Sequence, residues 1–487
     1  MSYYLLTGAT GLLGRYLLRD LLAAGMSLAV VIRPTRRVSA RQRVESIMVD
    51  WEQSLGRALP RPVVFEGDLT AHDLGLDAPA VAWLREHATA VIHNAASLTF
   101  QGNGPDSEPW LSNVKGTRHV LDLARSLDLR EFHHVSSSYV CGLRQGTILE
   151  SELDVGQQLG NDYERSKIQS EQMVRNSEWI TDLTVYRPAI IVGDSRTGFT
   201  NTFHGFYTPL QIVHSVANRL PAGNLHPEPL LAALGLTGVE HKNFVPVDWV
   251  SSVMSYLLTH REHHGSTYHL TPREPVNLRL MCQVMEQAIR NYSIRRDQAL
   301  PDASRLEGQI ETLFREQMQV YRSYWRDDPR FDATNTLRAA PHLPCPPIDR
   351  DAIMMLCRYA IEHNFWCSRG ESVDPSFDVE GFLDGRLDRL ERVPRGNGAV
   401  VDLQVNGSGG GQWYLATRDG QPYAFGRGRQ ADEAERLYMN VRTFSAIVQG
   451  ELSPARAIDS GRLLVEGGAW AEDDVARLLQ RLSTSAG

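Results

Sequence analysis

The sequence predicts an α/β fold, a doubly wound parallel sheet carrying a helical lobe, followed by a second, α+β domain. Three observations lead there. Tyr3-Tyr4-Leu5-Leu6 runs into Thr7-Gly8-Ala9-Thr10-Gly11-Leu12-Leu13-Gly14 and then into an apolar-periodic stretch, Leu17 to Leu22, which is the order strand, glycine turn, helix. Short β-branched runs recur downstream between helical patterns, the mark of a parallel sheet. Beyond Gly396 the pattern changes to closely spaced strands and turns.

The first unit reads as a dinucleotide-binding βαβ. Glycines at spacings of three let the backbone pass close to a pyrophosphate, whose charge is met by free N–H groups and the positive end of the next helix. A second strand at Ser27 to Ile32 completes this Rossmann unit, whose turn contributes Gly8, Thr10, Gly11, Leu12, Leu13 and Gly14. Further strands are expected at Val63 to Glu66, Ala90 to His93, Phe132 to Val135 and Leu183 to Tyr186. Ser304 to Trp325 and Arg350 to Trp366 read as amphipathic helices of a substrate lobe, separated by a Pro-rich connection at Pro341 to Pro347.

After Trp366 come a polar stretch through Pro375 and a helix near Phe382 to Leu390. Strands follow at Ala399 to Val405, Gln412 to Thr417 and Pro422 to Gly426, joined by turns at Gly407 to Gly411 and Asp419-Gly420. The expected division is residues 1–368 and 369–487.

At 487 residues the chain exceeds one hydrophobic core, which fits two domains. Its 42% hydrophobic and 22% charged residues are those of an ordinary globular protein. A net charge of −8 gives no general attraction to nucleic acid or anionic membrane, so an anionic ligand has to be met by a local basic cluster. Five scattered cysteines without a CxxC pair read as reduced thiols, and no stretch approaches the length needed to span a bilayer. A cytoplasmic protein without integral membrane association is expected. His133-His134 and His263-His264 lack carboxylates at ligand spacing, so no metal site is expected.

Chemistry concentrates around Tyr163 and Lys167, four apart and therefore on one face of a helix. A nearby ammonium, with the ribose it holds, favours phenolate and lets Tyr163 exchange a proton with a carbonyl oxygen while hydride moves to carbon. Ser136-Ser137-Ser138 at a strand end offers a hydroxyl to the same oxygen. After the second strand an NAD site would place Asp or Glu on the ribose 2′-OH. Here Arg33 stands there, with Arg36 and Arg37 behind, which suits the 2′-phosphate of NADPH over NADH. Asp248 is expected to cap the Val250 to Leu258 helix, and Glu171 to be structural. Nothing in their spacing assigns a role to His204, Tyr207 or His241.

The glycine turn, the serine run and the Tyr163/Lys167 pair lie in the order of the extended short-chain dehydrogenase/reductase family, which residues 1 to 290 resemble. The resemblance implies further cofactor contacts: Asp68 and Leu69 in Gly67-Asp68-Leu69, Asn94, Ala95 and Ala96 in an NAA-type strand, and Pro188, Ala189, Ile190 and Ile191 near nicotinamide. It implies Ser137, five before Gly142, as the catalytic serine, and Asn113 as support for the proton path. Gly193-Asp194-Ser195-Arg196-Thr197-Gly198 and Asn243-Phe244-Val245-Pro246-Val247-Asp248 are most similar to the male-sterility, fatty acyl reductase and thioester reductase branch. That branch implies NADPH-dependent reduction of acyl thioesters on CoA or a carrier protein.

Phe377 to Ser485 resembles the sterol-carrier-protein 2 fold, on Trp413-Tyr414-Leu415, Gly450-Glu451-Leu452-Ser453-Pro454-Ala455-Arg456-Ala457 and Gly461 to Gly467. The resemblance implies helices over a sheet and an apolar lipid tunnel, lined by Trp413, Leu415, Phe444, Ile447 and Leu464. The same residues would equally pack a solid core in a structural or dimerising module, and a homodimer stays open. The leading expectation is an NADPH-dependent reductase of an acyl-thioester or carbonyl group on a lipophilic substrate. A reductase of a free ketone, quinone-like or sterol-like substrate, and a non-catalytic NADP- or lipid-binding module, are the alternatives.

Overall fold

The computed structural model describes residues 2–35, 38–217, 231–232, 235–292, 318–365, 377–390, 400–406, 409–418, 420–428, 435–459, 462–466 and 472–484. The opening strand β1 (Tyr3–Thr7) leads through the glycine turn into α1 (Leu12–Ala23), then β2 (Ser27–Ile32), α2 (Ala40–Leu55) and β3 (Val63–Glu66). Next come α3 (Ala78–His87), β4 (Ala88–His93), α4 (Thr117–Ser126), β5 (Glu131–Val135), the short β6 (Thr147–Ile148), α5 (Asp162–Arg175) and β7 (Asp182–Pro188). After β8 (Ile190–Val192), α6 (Tyr207–Ala217), β9 (His241–Lys242), β10 (Phe244–Pro246) and α7 (Val247–Thr259), β11 (Thr267–Leu270) closes the main sheet.

Seven of these strands form one sheet in the order β11-β7-β5-β4-β1-β2-β3, every pair parallel. Their side chains are buried on both faces, as parallel strands require. One face is covered by α1, α2 and α7 through residues such as Leu17, Met48, Val250 and Leu257. The other is covered by α3 and α4 through Trp83, Leu84, Val120 and Leu123, with Val174 of α5. The chain moves outward from β1 to β3 and then returns to place β4 on the other side of β1. The carboxyl ends of β1 and β4 therefore flank a crevice, where open sheets of this kind hold ligands.

A lobe beside this crevice is built from α6, β10, α8 (Leu278–Tyr292) and α10 (Arg350–Glu362), with the short α9 (Thr334–Ala339) between the last two. Leu210, Phe244, Met285 and Leu356 share its core. The expected Ser304 to Trp325 helix lies outside the described residues up to Gln317, and Gln319–Tyr324 forms a 3₁₀ turn. Asp248 departs from expectation. Pro246, with φ −69° and ψ 140°, precedes the first turn of α7, while Asp248 sits inside it and accepts from Ser195 N at 2.8 Å and Ser195 Oγ at 2.6 Å. It fastens the Gly193–Gly198 loop instead of capping its own helix, because the partner that the local pattern could not reveal lies 53 residues upstream.

The C-terminal domain carries a six-stranded sheet that includes β15 (Val400–Asn406), β16 (Gly411–Arg418), β17 (Gln421–Arg427), β18 (Glu435–Asn440) and β19 (Leu463–Glu466), after β12 (Val276–Asn277), β13 (Arg330–Phe331) and β14 (Asp388–Arg389). Its order is β14-β17-β16-β15-β18-β19. Alternate residues of each strand point to opposite faces. Val401, Leu403, Trp413, Leu415 and Phe425 meet α11 (Val379–Asp384), α12 (Val441–Val448), α13 (Pro454–Asp459) and α14 (Glu472–Thr484) in one core.

The opposite face turns towards the first domain, where Gln404 donates to the Leu59 carbonyl at 3.1 Å. Nearby, Trp83 donates to the Arg427 carbonyl at 3.2 Å, and Arg41 pairs with Glu380, which also takes Arg389 and Arg427. Trp413, Leu415, Phe444 and Ile447 are 0–2% exposed and belong to the core; the side chain of Leu464 lies outside the described residues. Among the described residues no helix is long and apolar enough to cross a membrane.

Candidate active site

The crevice opens into a cavity of about 660 Å³ that runs from the glycine turn, past the ends of β5 and β7, into the lobe. Gly8, Thr10, Gly11, Leu12 and Leu13 form its floor at the start of α1. Gly8 has φ +73°, and a Cβ there would lie 2.7 Å from the Ala95 backbone. Gly14 faces away from the cavity, and its Cβ would meet the Gly8 carbonyl at 2.0 Å, so this third glycine serves close packing of helix on turn.

Two side chains hold the neighbouring strand end in register. Asn94 donates to the Gly8 carbonyl at 3.2 Å, and the Ala95 amide donates to Thr7 Oγ1 at 3.2 Å. Thr7 in turn pairs with the buried His93, which also pairs with Thr117 of α4, both at 2.9 Å. Burial holds His93 down at about 3, so this bridge is neutral. The resulting cradle, with its open backbone and a helix N-terminus, suits a pyrophosphate.

The chemical centre lies midway along the cavity. Asn161 caps α5, its side chain accepting from Glu164 N at 2.9 Å, and so fixes where Tyr163 and Lys167 emerge. Both line the cavity with Ser136 and Ser137 from the end of β5. Ser137 hydrogen-bonds Tyr163, and its oxygen also accepts from the Tyr139 amide at 3.2 Å. Lys167 Nζ donates to the Val135 carbonyl at 2.8 Å.

Burial pushes the Tyr163 phenol up to about 12, opposed by the Ser137 hydrogen bond and helped by Glu164. The sequence pointed to a phenol brought down by Lys167. Here burial dominates, and Tyr163 holds its proton as an acid. Burial likewise lowers Lys167 to about 8, with Glu171 opposing the shift. Glu171 has the structural place expected, accepting from the fully buried Arg187 at 2.6 Å and from Arg175 at 2.8 Å.

Asp68, Leu69, Asn94, Ala95 and Ala96 line one end of the cavity, and Pro188, Ala189, Ile190 and Ile191 the wall near Tyr163. Asn113 does not reach the cavity. Its amide donates to the Ser97 carbonyl at 3.1 Å and to Ser166 Oγ at 2.9 Å, and its oxygen accepts from Ser97 N at 2.7 Å. Every polar atom of that side chain is engaged in holding the Ser97 loop to α5.

Residues 6–254 match the male sterility protein family, a span of half the chain. The chain belongs to that family. It is an oxidoreductase of the extended short-chain dehydrogenase/reductase kind, with a site for a nicotinamide dinucleotide. Residues 381–480 match the SCP-2 sterol transfer family. The aldehyde reductase lnaA of Aspergillus flavus is 25% identical over 391 residues, 73% of this chain and 35% of that protein. The non-reducing polyketide synthase pkiA of Emericella nidulans is 26% identical over 275 residues, 55% of this chain and 10% of its own length.

The chain thus spans about a third or less of these curated relatives. The crystal structure of the terminal R domain from the myxalamid PKS-NRPS biosynthetic pathway is 25% identical, with a TM-score of 0.57 over 76% of this chain and 93% of that one. A reductase domain of a nonribosomal peptide synthetase from Mycobacterium tuberculosis shares the fold at 20% identity and a TM-score of 0.52, over 74% and 92% of the two chains.

Within this male sterility family member, the basic end of the cavity differs in membership from the sequence reading. Arg36 and Arg37 lie outside the described residues. Arg33 lines the cavity with its side chain 69% exposed and Asp68 3.9 Å away. Arg43, which the sequence did not single out, joins it from the first turns of α2, donating to Thr10 Oγ1 at 3.0 Å and to the Arg33 carbonyl. Its only linear signal is its place four residues after the capping Ser39. The lobe end was also unassigned by sequence: Phe100 packs edge-on against Tyr163, Tyr321 and Tyr324, and Met281, Met285 and Ile289 extend an apolar wall.

Proposed function

We propose that this protein is an NADPH-dependent reductase that takes an acyl thioester on CoA or a carrier protein to the aldehyde, and the aldehyde to the alcohol. The observation that carries the reading is the Ser137/Tyr163/Lys167 set facing a cavity whose far end is apolar. The names of relatives, an aldehyde reductase and a terminal R domain of a PKS-NRPS pathway, support it. Arg33 and Arg43 beside the adenosine end support the choice of NADPH, because two cations there favour a 2′-phosphate.

When bound, the nicotinamide supplies the hydride. Tyr163, kept protonated by burial, donates its proton to the substrate oxygen as that oxygen gains charge. Ser137 donates a second hydrogen bond to the same oxygen and returns the phenol's hydrogen bond afterwards. Lys167, held by the Val135 carbonyl, presents its remaining N–H groups to the ribose hydroxyls. The tetrahedral hemithioacetal formed from a thioester breaks its C–S bond, releasing thiol and aldehyde. The aldehyde repeats the step with a second hydride and proton to give the alcohol.

The C-terminal domain, residues 369–487, is read as a fixed module in place of a shuttling lipid carrier. The packed Trp413/Leu415/Phe444/Ile447 core and the docked second face of its sheet support this. NADPH consumption with acyl-carrier thioesters, acyl-CoAs, aldehydes and polycyclic ketones tests the substrate reading. Turnover of thioesters with release of free thiol is expected. Activity confined to aldehydes or ketones would overturn the thioester step, and a preference for NADH would overturn the cofactor choice.

A further inference from the structure

At the amino ends of the strands, opposite the active site, Glu131, His133 and His264 converge in the interior. Their ligand atoms lie within 4.8 Å of one another. Glu131 and His133 alternate on β5 and so share one face. Asp182, the first residue of β7, pairs with Glu131 in the sheet register, and His264 sits in the turn before β11. Strand β5 and the turn that enters β11 thus bring their donors together, with the first residue of β7 beside them.

The separations within the three-residue group suit a small ion, and Asp182 stands beside one of its members. His133 Nε2 is 3.0 Å and His264 Nδ1 3.8 Å from Glu131 Oε1, and His264 Nδ1 is 3.5 Å from Asp182 Oδ2. Donors at about 2.0–2.1 Å from a tetrahedral zinc ion stand about 3.3 Å apart.

The polarity of His264 points the same way. Its side chain is 3% exposed, and Nε2 faces the Leu258 carbonyl at 3.3 Å, which only an N–H satisfies. Nδ1 is then a lone pair. It is buried without a hydrogen bond and aimed at two carboxylates, an arrangement of acceptor against acceptors that a cation resolves. His133 has its outer support in place, with Nδ1 3.2 Å from the Tyr186 hydroxyl, a partner that accepts when Nε2 carries a metal. Arg261 occupies Glu131 Oε2 at 2.8 Å and leaves Oε1 to the imidazoles.

We propose that Glu131, His133 and His264 form a structural site for a divalent transition-metal ion of the zinc type, with Asp182, beside His264, swinging in as the fourth donor when the ion binds. Two carboxylates and two neutral imidazoles balance its charge, and no position is left for a substrate. The ion staples β5, β7 and the approach to β11 and takes no part in hydride transfer.

The purified full chain, loaded with zinc and dialysed, should retain one ion per chain by elemental analysis, and zinc should raise Tm by about 3 °C or more. Cobalt in its place should give the visible absorption of a tetrahedral centre. His264→Gln should abolish retention and the Tm rise, and Asp182→Asn, partly exposed and safe for folding, should weaken zinc affinity at least tenfold. Both variants should keep their reductase rate. A wild-type chain that retains no zinc, or a His264→Gln chain that retains it undiminished, overturns the proposal.

Discussion

Lys167 and Val135 are joined by a 2.8 Å hydrogen bond from ammonium to main-chain carbonyl, which ties α5 to the strand end one residue before Ser136 and two before Ser137. The acid, the ammonium and the serine hydroxyl are therefore positioned by one contact and move together.

Tyr163→Phe removes the proton donor and keeps the ring that packs edge-on against Phe100 at 5.7 Å. Turnover should fall by at least about a hundredfold with NADPH affinity unchanged. Steady-state kinetics beside fluorescence titration of NADPH reads both, and full turnover in the variant would remove Tyr163 from the mechanism.

The lowered Lys167 sets a pH dependence. An ammonium whose affinity for its proton drops to about 8 is charged below that pH and neutral above it, so the hold on the ribose weakens as pH rises through about 8. NADPH dissociation constants measured from pH 6 to 10 should climb across that window. Lys167→Met should bind more weakly and show a flat profile; a wild-type profile that is itself flat contradicts the assignment.

Arg33→Ala with Arg43→Ala should narrow the preference for NADPH over NADH. Charge-assisted hydrogen bonds worth about 1.5–3 kcal/mol correspond to roughly 10- to 150-fold in affinity for the phosphorylated cofactor. Binding of NADH should change little. A double variant with the wild-type ratio would leave these arginines as solvated surface.

Asp248→Ala frees both Ser195 N and Ser195 Oγ. Hydrogen bonds to a charged partner imply a loss of about 2 kcal/mol, visible as a lower urea midpoint with an unchanged slope. An unmoved midpoint would mean that the loop holds itself.

What was legible in the sequence was local. The Gly8–Gly14 turn and the Tyr163/Lys167 pair lie within single elements, where spacing fixes direction, and their residues reach the cavity as expected apart from Gly14. The strands at Val63–Glu66 and Ser27–Ile32 stand where the β-branched runs put them. Arg43 was illegible because its arrival beside Thr10 depends on how α2 crosses the sheet. The partners of Asn113 were equally hidden, because Ser97 and Ser166 come from two other elements. The Glu131/His133/His264 convergence joins residues up to 133 positions apart, brought together by the order of β5, β7 and β11 in the sheet.

The docking of the C-terminal domain has a consequence for how the reductase survives in a crowded solution. β3 is the outer strand of its sheet, and the other domain comes in against its neighbourhood through Leu59, Arg41 and Trp83, with Arg427 lying 5.4 Å over the Phe65 ring. An uncovered outer strand offers a row of unpaired amides and carbonyls to any other chain. Cut free of residues 377–487, the reductase would bare Phe65 and Trp83 beside that row, and self-association into aggregates, more than loss of chemistry, would limit its lifetime.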